Sequence, residues 1–79
     1  MAPISHAQAP KNLTTALMVE AAELAGLLQW RTPKESRFAH EDGAAKERIG
    51  EEVADGLLYL LQVADHCRIN VTPRTRSWP

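Results

Sequence analysis

The sequence predicts an all-α protein whose main elements are two long antiparallel helices. Two runs, from about residue 12 to 30 and from about 44 to 68, are rich in alanine, leucine and glutamate and contain no proline. The stretch between them, residues 32–43, is rich in charged residues and contains Pro33 and Gly43. Two helices joined by a short connection usually pack as an antiparallel hairpin. We therefore expect the side chains of the two runs to meet along one seam.

The first helix is bounded by residues that start and stop helices. Residues 1–10 contain two prolines and no periodic apolar pattern, which predicts an extended leader. Asn12 or Thr14 can serve as the N-cap. The Thr32-Pro33 pair ends the run, because the residue before a proline disfavours helical backbone. The first helix is therefore predicted over about residues 12–30.

The second helix is predicted over about residues 44–68, after the turn signals of Asp42 and Gly43. Pro73 and Pro79 mark residues 70–79 as an irregular tail. Because 79 residues suffice for one small domain, the chain 1–79 is predicted to be a single domain. A chain of this length forms only a marginal core without a metal, a disulfide or a partner.

Charge and cysteine content narrow the class of protein. Nine Lys and Arg against ten Asp and Glu give a net charge of -1, whereas a protein that binds a nucleic-acid polymer usually carries a basic excess. Cys67 is the single cysteine, which excludes an intrachain disulfide and indicates a reducing compartment. No apolar run approaches the ~18 residues of a membrane span. We expect a cytoplasmic protein whose partner is neither a nucleic-acid polymer nor a membrane.

The first helix carries two glutamates where leucines are expected. At ~100° per residue, Leu13, Leu24 and Leu27 lie within about 40° of Glu20, so Glu20 projects from the middle of the leucine face. Glu23 lies about 60° to one side of Glu20. A solvated pair of glutamates normally lies opposite the apolar face, and this pair does not.

The second helix repeats the pattern with Glu52 at the edge of an apolar sector and Asp55 about 60° away, in a polar strip with Tyr59 and Gln62. Its remaining leucines spread further round the helix than one partner helix can cover. Such a distribution predicts that other subunits complete the core. We expect a homo-oligomer, a dimer or a tetramer, with a core like a four-helix bundle. The leucines concerned are Leu57, Leu58 and Leu61.

In an antiparallel hairpin the two acidic pairs fall at approximately the same level of the seam. One E-x-x-E or E-x-x-D pair by itself is usually an ordinary solvated face, but two pairs at matching levels are less ordinary. Four half-buried carboxylates repel one another and lose hydration, so either their pKa values rise or a cation lies among them. An all-oxygen set favours a hard ion, Mg²⁺ with Mn²⁺ as the alternative, over zinc. The four residues are Glu20, Glu23, Glu52 and Asp55.

The two acidic segments resemble a known family. PKNLTTALMVEAAELAGLLQW at residues 10–30 and EEVADGLLYLLQVADHCRI at residues 51–69 are similar to the MazG-like all-α nucleotide pyrophosphohydrolases, in particular to their dCTP pyrophosphatase-like branch. The resemblance implies Mg²⁺-dependent hydrolysis of a (d)NTP, such as dCTP or a modified pyrimidine dNTP, to a monophosphate and pyrophosphate, which cleans the nucleotide pool. It implies that the four acids bind the metal, and that a water activated by the metal or by a carboxylate attacks the α-phosphorus.

The resemblance also implies substrate contacts. Trp30 and Tyr59 match positions that line the nucleoside pocket, and Lys11 and Asn12 match a pair near the phosphates or the base. Three of them have a plainer interpretation: Trp30 could pack the hairpin, Tyr59 could be a core residue with a hydrogen-bonded hydroxyl, and Lys11 could be solvated. Residues 1–10 are too short for the upstream helix that the branch usually carries. The alternative function is therefore a non-catalytic helical oligomer that acts as a nucleotide-binding or interaction module.

Overall fold

The computed structural model describes residues 9–75 and confirms the all-α prediction. Helix α1 spans Pro10–Leu28, the short α2 spans Pro33–Ser36, and α3 spans Gly43–His66. Single 3-10 turns lie at Ala39–Glu41 and Pro73–Thr75, and the described part of the chain contains no strand. None of the described helices is long and apolar enough to cross a membrane. Most of the predicted leader 1–10 and the end of the predicted tail, residues 76–79, lie outside the described residues.

Helix α1 begins earlier than predicted. Pro10 occupies its first turn and Ala9 is the N-cap, whose carbonyl accepts the N–H groups of Asn12 and Leu13 at 2.9 Å each. Proline suits the first helical position, because its ring already holds a helical φ and its missing N–H would have had no intrahelical acceptor. The prediction of Asn12 or Thr14 as the N-cap is therefore wrong. The Thr14 hydroxyl instead donates to the Lys11 carbonyl at 2.8 Å.

The predicted connection contains a helix of its own. Thr32 is the N-cap of α2: its hydroxyl accepts the Glu35 N–H at 3.1 Å, and the Glu35 carboxylate accepts the Thr32 N–H at 2.8 Å. This reciprocal capping box satisfies two N–H groups that a helix start otherwise leaves without acceptors. Helix α1 ends at Leu28, two residues earlier than predicted, and Trp30 lies in the turn that follows.

Asp42 fixes the start of α3 and ties it to the end of α1. Its Oδ1 atom accepts the N–H groups of Ala44 at 3.1 Å and Ala45 at 3.2 Å, and its Oδ2 atom lies 3.6 Å from Nη2 of Arg31. The helix ends at His66, and Arg68, two residues further on, adopts the left-handed region with φ 56°. The carboxylates of α3 are therefore positioned relative to a well-anchored first turn.

The two long helices run antiparallel. Leu28, at the end of α1, and Ile49, near the start of α3, line one cavity. Further along the seam, a Cβ placed on Gly56 would lie 3.8 Å from Cδ1 of Leu17. Lower residue numbers on α1 thus face higher numbers on α3, as the sequence predicts. The register brings the level of Glu20 opposite the turn of α3 that carries the second acidic pair.

The hairpin encloses very little core. Among the described residues the buried hydrophobic side chains are Leu13, 2% exposed, and Ala39, 4% exposed. Five large apolar side chains of α3 are each 47–56% exposed. Exposed apolar patches on soluble proteins often mark interaction surfaces. The predicted excess of apolar surface on α3 is therefore present. These side chains, called the α3 apolar surface below, are Val53, Leu57, Leu58, Leu60 and Leu61.

Candidate metal centre

Three carboxylates converge on the seam between α1 and α3. One carboxylate oxygen from each of Glu20, Glu52 and Asp55 lies within 4.8 Å of the other two. Glu52 and Asp55 are three residues apart on α3, a spacing that places both side chains on adjacent positions of one face. Glu20 reaches the same place from α1. We call these three residues the carboxylate trio.

The backbone around the trio holds its members close to apolar side chains. Glu20 and Glu52 both line an apolar groove between the helices, which Leu17 and Gly56 also line. Gly56 lies one turn after Glu52 and presents no side chain to the groove. Glu20 and Glu52 are consequently half-buried, whereas Asp55 is exposed. The carboxylates of Glu20 and Glu52 thus lie in a partly dehydrated position, which the leucine spacing of the sequence predicts for Glu20.

Two oxygens of the trio lack partners. The Oε2 atoms of Glu20 and Glu52 are buried and have no hydrogen-bond partner. A buried anionic oxygen without a donor or a cation is costly, because it has lost water and gained nothing in exchange. Buried charges in proteins are normally paired or coordinate a metal. The two buried oxygens without partners therefore fit a cation-binding role for the trio.

Charge crowding raises two pKa values. The pKa of Glu52 lies above its usual value of 4.5, chiefly because a protonated Glu52 can donate its proton to Glu20, and next because of lost hydration. The pKa of Glu23 is raised as well, first through proton sharing with Glu52 and then through repulsion from the Glu52 charge. Proton sharing between neighbouring carboxylates is the usual response to like charges at one site. The site thus holds negative charge at a cost that a proton or a cation relieves.

Glu23 stands beside the trio without being one of its three converging ligands. It is exposed, interacts with both Glu52 and Glu20, and feels the charge of Asp55. The structure therefore brings all four predicted acids to one place, with Glu23 on the solvent side. Its position leaves two roles open: a fourth ligand, or a base that faces a water molecule from outside the trio.

Tyr59 adjoins the trio in a second, more polar cavity of about 290 Å³. Glu20 and Asp55 form one part of its lining, and Tyr59 and Gln62 of α3 form the other. The predicted polar strip of α3 therefore faces this cavity. Gln62 was not among the predicted site residues, although its spacing of three from Tyr59 and seven from Asp55 is the signal that could have selected it.

The other predicted substrate contacts lie away from the trio. Lys11 and Asn12 are exposed in the first turn of α1, with Lys11 nine residues, about 13 Å along the helix axis, from Glu20. Trp30 lies beyond the end of α1 and is 89% exposed. Within one described chain these three side chains do not join Tyr59 at the carboxylates, and their predicted substrate roles stay predictions.

The donor set of the site fits magnesium. All converging ligand atoms are carboxylate oxygens, which Mg²⁺ prefers, and two of the three side chains carry a buried oxygen without a partner. Mg²⁺ is typically held by one or two carboxylates together with water and substrate phosphates. A trio that opens to a polar cavity on one side leaves room for such additional ligands.

An antiparallel helix pair with E-x-x-E on one helix and E-x-x-D on the other, meeting at a shared acidic site, is the arrangement that the resemblance implies for MazG-like nucleotide pyrophosphohydrolases. Comparison with known proteins points to the same branch. The chain is 37% identical over 62 residues to dCTP pyrophosphatase 1 of Homo sapiens. The aligned region covers 78% of this chain and 36% of the relative. The resemblance to the dCTP pyrophosphatase-like branch is confirmed.

Other mammalian relatives carry the same name. The identity is 36% to dCTP pyrophosphatase 1 of Bos taurus and 38% to that of Mus musculus, each over 62 residues and 78% of this chain. The chain spans little more than a third of the length of these relatives, 37% and 36% respectively. No family model matches the chain. No solved structure matches it either.

Proposed function

We propose that this protein is a Mg²⁺-dependent nucleoside triphosphate pyrophosphohydrolase that converts a (d)NTP into a monophosphate and pyrophosphate. The observation that carries the proposal is the convergence of three carboxylates, two with buried unpartnered oxygens, on a seam between two helices. A helix pair serving only as a scaffold would be more stable with apolar residues there. The similarity to dCTP pyrophosphatases supports dCTP or a modified pyrimidine dNTP as the substrate.

Glu20, Glu52 and Asp55 are the residues that would hold Mg²⁺, with Mn²⁺ as the alternative. When bound, such an ion neutralises phosphate charge, lowers the pKa of water and orients the reacting groups. In the reaction the oxygen of a water molecule bonds to the α-phosphorus, the α–β anhydride bond breaks, and pyrophosphate leaves. The proton that the water loses must pass to a base, and Glu23 lies beside the trio on the solvent side.

The two roles open to Glu23 are separable. If Glu23 is a fourth ligand, Glu23→Gln weakens Mg²⁺ binding measured by calorimetry. If it is the base, the variant binds Mg²⁺ like the wild type and loses kcat, together with the acidic limb of the pH–rate profile. Glu51→Gln is the control, since Glu51 is an exposed carboxylate of α3 that does not belong to the trio.

Tyr59 and Gln62 are placed to contact the substrate in the cavity beside the trio. An aromatic ring offers a face on which a base can stack, and an amide offers both a donor and an acceptor. Lys11, Asn12 and Trp30 would have to reach the substrate from a neighbouring subunit or another part of the assembly. We propose a homo-oligomer, a dimer or a tetramer, on the strength of the α3 apolar surface. The single cysteine supports a cytoplasmic location.

The decisive experiment is a product assay with Mg²⁺ and a panel of dNTPs and NTPs. Wild type and Glu51→Gln should release monophosphate and pyrophosphate, and Glu52→Gln should not. Diphosphate with orthophosphate would contradict attack at the α-phosphorus. An absence of turnover in a protein that Mg²⁺ still stabilises against heat would instead establish the binding-module alternative.

A further inference from the structure

Two surfaces of the molecule share two side chains. An apolar groove of about 330 Å³ lies between α1 and α3 and opens to the outside. Glu20 and Glu52 belong both to this groove and to the carboxylate trio. Whatever covers the groove therefore changes the hydration of two proposed metal ligands. The apolar lining of the groove includes Leu17, Leu24, Val53, Gly56, Leu57 and Leu60.

A second copy of this chain is the occupant that the exposed surface favours. Three groove residues, Val53, Leu57 and Leu60, belong to the α3 apolar surface, which continues round the helix to Leu58 and Leu61. Half-exposed, these five side chains offer apolar area on the order of 400 Å² per copy, about half of the ~800 Å² that a standard interface buries per partner. The α1 side of the groove adds to it. A net charge of -1 opposes self-association little.

We propose that divalent-cation binding and self-association through the apolar groove are thermodynamically coupled. When a second copy covers the groove, Glu20 and Glu52 lose the water that reaches them through its opening. Their ionised forms then depend more heavily on a cation. By linkage, a cation bound at the trio must strengthen association to the same extent that association strengthens cation binding. The inference rests on the proposed metal site and is independent of turnover.

The first test is the self-association constant of the full chain, measured by sedimentation equilibrium with Mg²⁺ and in EDTA. Sodium chloride is adjusted so that the ionic strength is the same in both solutions. The dimer dissociation constant should be at least about tenfold lower with Mg²⁺, within the usual range of coupling between two sites. Equal dissociation constants, or a monomer in both solutions while calorimetry shows bound Mg²⁺, would overturn the proposal.

The carboxylates are then neutralised. The double variant Glu20→Gln, Glu52→Gln keeps the shape of the side chains and removes both charges, so it should associate in EDTA about as tightly as the wild type does with Mg²⁺. Mg²⁺ should have no further effect on it. Glu51→Gln, with an exposed carboxylate outside the groove and the trio, should retain the full Mg²⁺ response. If the wild type is unfolded in EDTA, the double variant should still fold and associate there, and its failure to do so would contradict the coupling.

The reciprocal test changes a residue of the groove and measures Mg²⁺ affinity. Leu60→Ser should weaken association and, through linkage, raise the Mg²⁺ dissociation constant, although Leu60 is not a ligand. Met18→Ser is the control, because Met18 is exposed on α1 and does not line the groove. Weaker association with unchanged Mg²⁺ affinity would overturn the proposal. Turnover is measured separately: coupling without hydrolysis would refute only the proposed function, and hydrolysis without coupling would refute only this inference.

Discussion

Two carboxylates in the connection, residues 32–43, have hydrogen-bond partners, whereas carboxylates on the seam between α1 and α3 are crowded against one another. In the connection, Glu35 accepts the Thr32 N–H, and Asp42 accepts two N–H groups and pairs with Arg31. On the seam, Glu20 and Glu52 each present a buried oxygen with no partner. The pKa values respond in opposite directions: that of Glu35 is lowered by the backbone N–H of Thr32, and that of Glu52 is raised by its carboxylate neighbours and by lost hydration.

The contrast separates acids that stabilise helix starts from acids that are crowded together on the seam. A carboxylate that accepts backbone N–H bonds stabilises a helix start, so its charge contributes to folding. A carboxylate crowded against others on an apolar seam opposes folding until a cation or proton relieves it. The predictions below test this division, beginning with the largest expected effect.

The largest effect is expected from Glu20→Gln. Removing one proposed ligand should lower the rate of hydrolysis by about 100-fold or more, since even groups outside the ligand shell typically cost 10–100-fold in activity or metal affinity. The free energy of unfolding in metal-free buffer should not fall, because one repelling charge is lost. Kinetic assays and urea unfolding of the same preparation measure both. Near-normal turnover in this variant would remove Glu20 from the site.

Mg²⁺ should stabilise the folded chain. A ligand that binds only the folded state raises the free energy of unfolding by about 2.7 kcal/mol when present at 100 times its dissociation constant. Thermal unfolding with Mg²⁺ and with EDTA should show the corresponding rise in Tm for the wild type. The same titration with Glu52→Gln should show little or none. An equal rise in both proteins would mean that the ion binds elsewhere.

Asp42→Ala should destabilise the fold and spare the chemistry. The variant loses the N-cap of α3 and the pairing with Arg31, and losing a cap typically costs about 1 kcal/mol. Urea unfolding measures the loss, and Glu41→Ala, an exposed acid in the preceding position, serves as the control. At a temperature where both remain folded, turnover should stay within a few-fold of the wild type. A loss of turnover comparable to that of Glu20→Gln would contradict the assignment of Asp42 to folding alone.

The smallest effect is the pH dependence of the metal-free chain. Because the folded pKa values of Glu52 and Glu23 are raised, their favourable contribution is present below the usual value of 4.5 and is lost as pH rises through the folded pKa values. The lowered pKa of Glu35 acts with the opposite sign: its contribution is present above 4.5 and is lost as pH falls through the folded value.

Thermal unfolding between pH 3 and 7 in metal-free buffer distinguishes the contribution of the seam carboxylates from that of Glu35. Glu52→Gln should flatten the decline of Tm above about pH 4.5, and Glu35→Gln should reduce the decline below it. If Glu52→Gln leaves the decline of Tm above about pH 4.5 unchanged, the crowding of carboxylates on the seam does not destabilise the fold. The contrast with the connection then fails.

Much of the molecule could be predicted from the sequence. The apolar periodicity predicted two long helices within about two residues of their ends, and E-x-x-E and E-x-x-D predicted an acidic site on their seam. Two local signals were misinterpreted. Pro10 marks the start of α1 better than Asn12 does, and Thr32 with Glu35 forms a capping box within the supposed connection.

Spacing within one helix follows from its 3.6-residue turn, so the sequence by itself determined which carboxylates share a face of α1 or α3. Only the tertiary structure decided that Glu20 meets Glu52 and Asp55 while Glu23 stands outside the trio. It also decided that Glu20 and Glu52 line the apolar groove. The reason is that the rotation and level of one helix against another depend on how their side chains interlock, and no local rule of spacing specifies that.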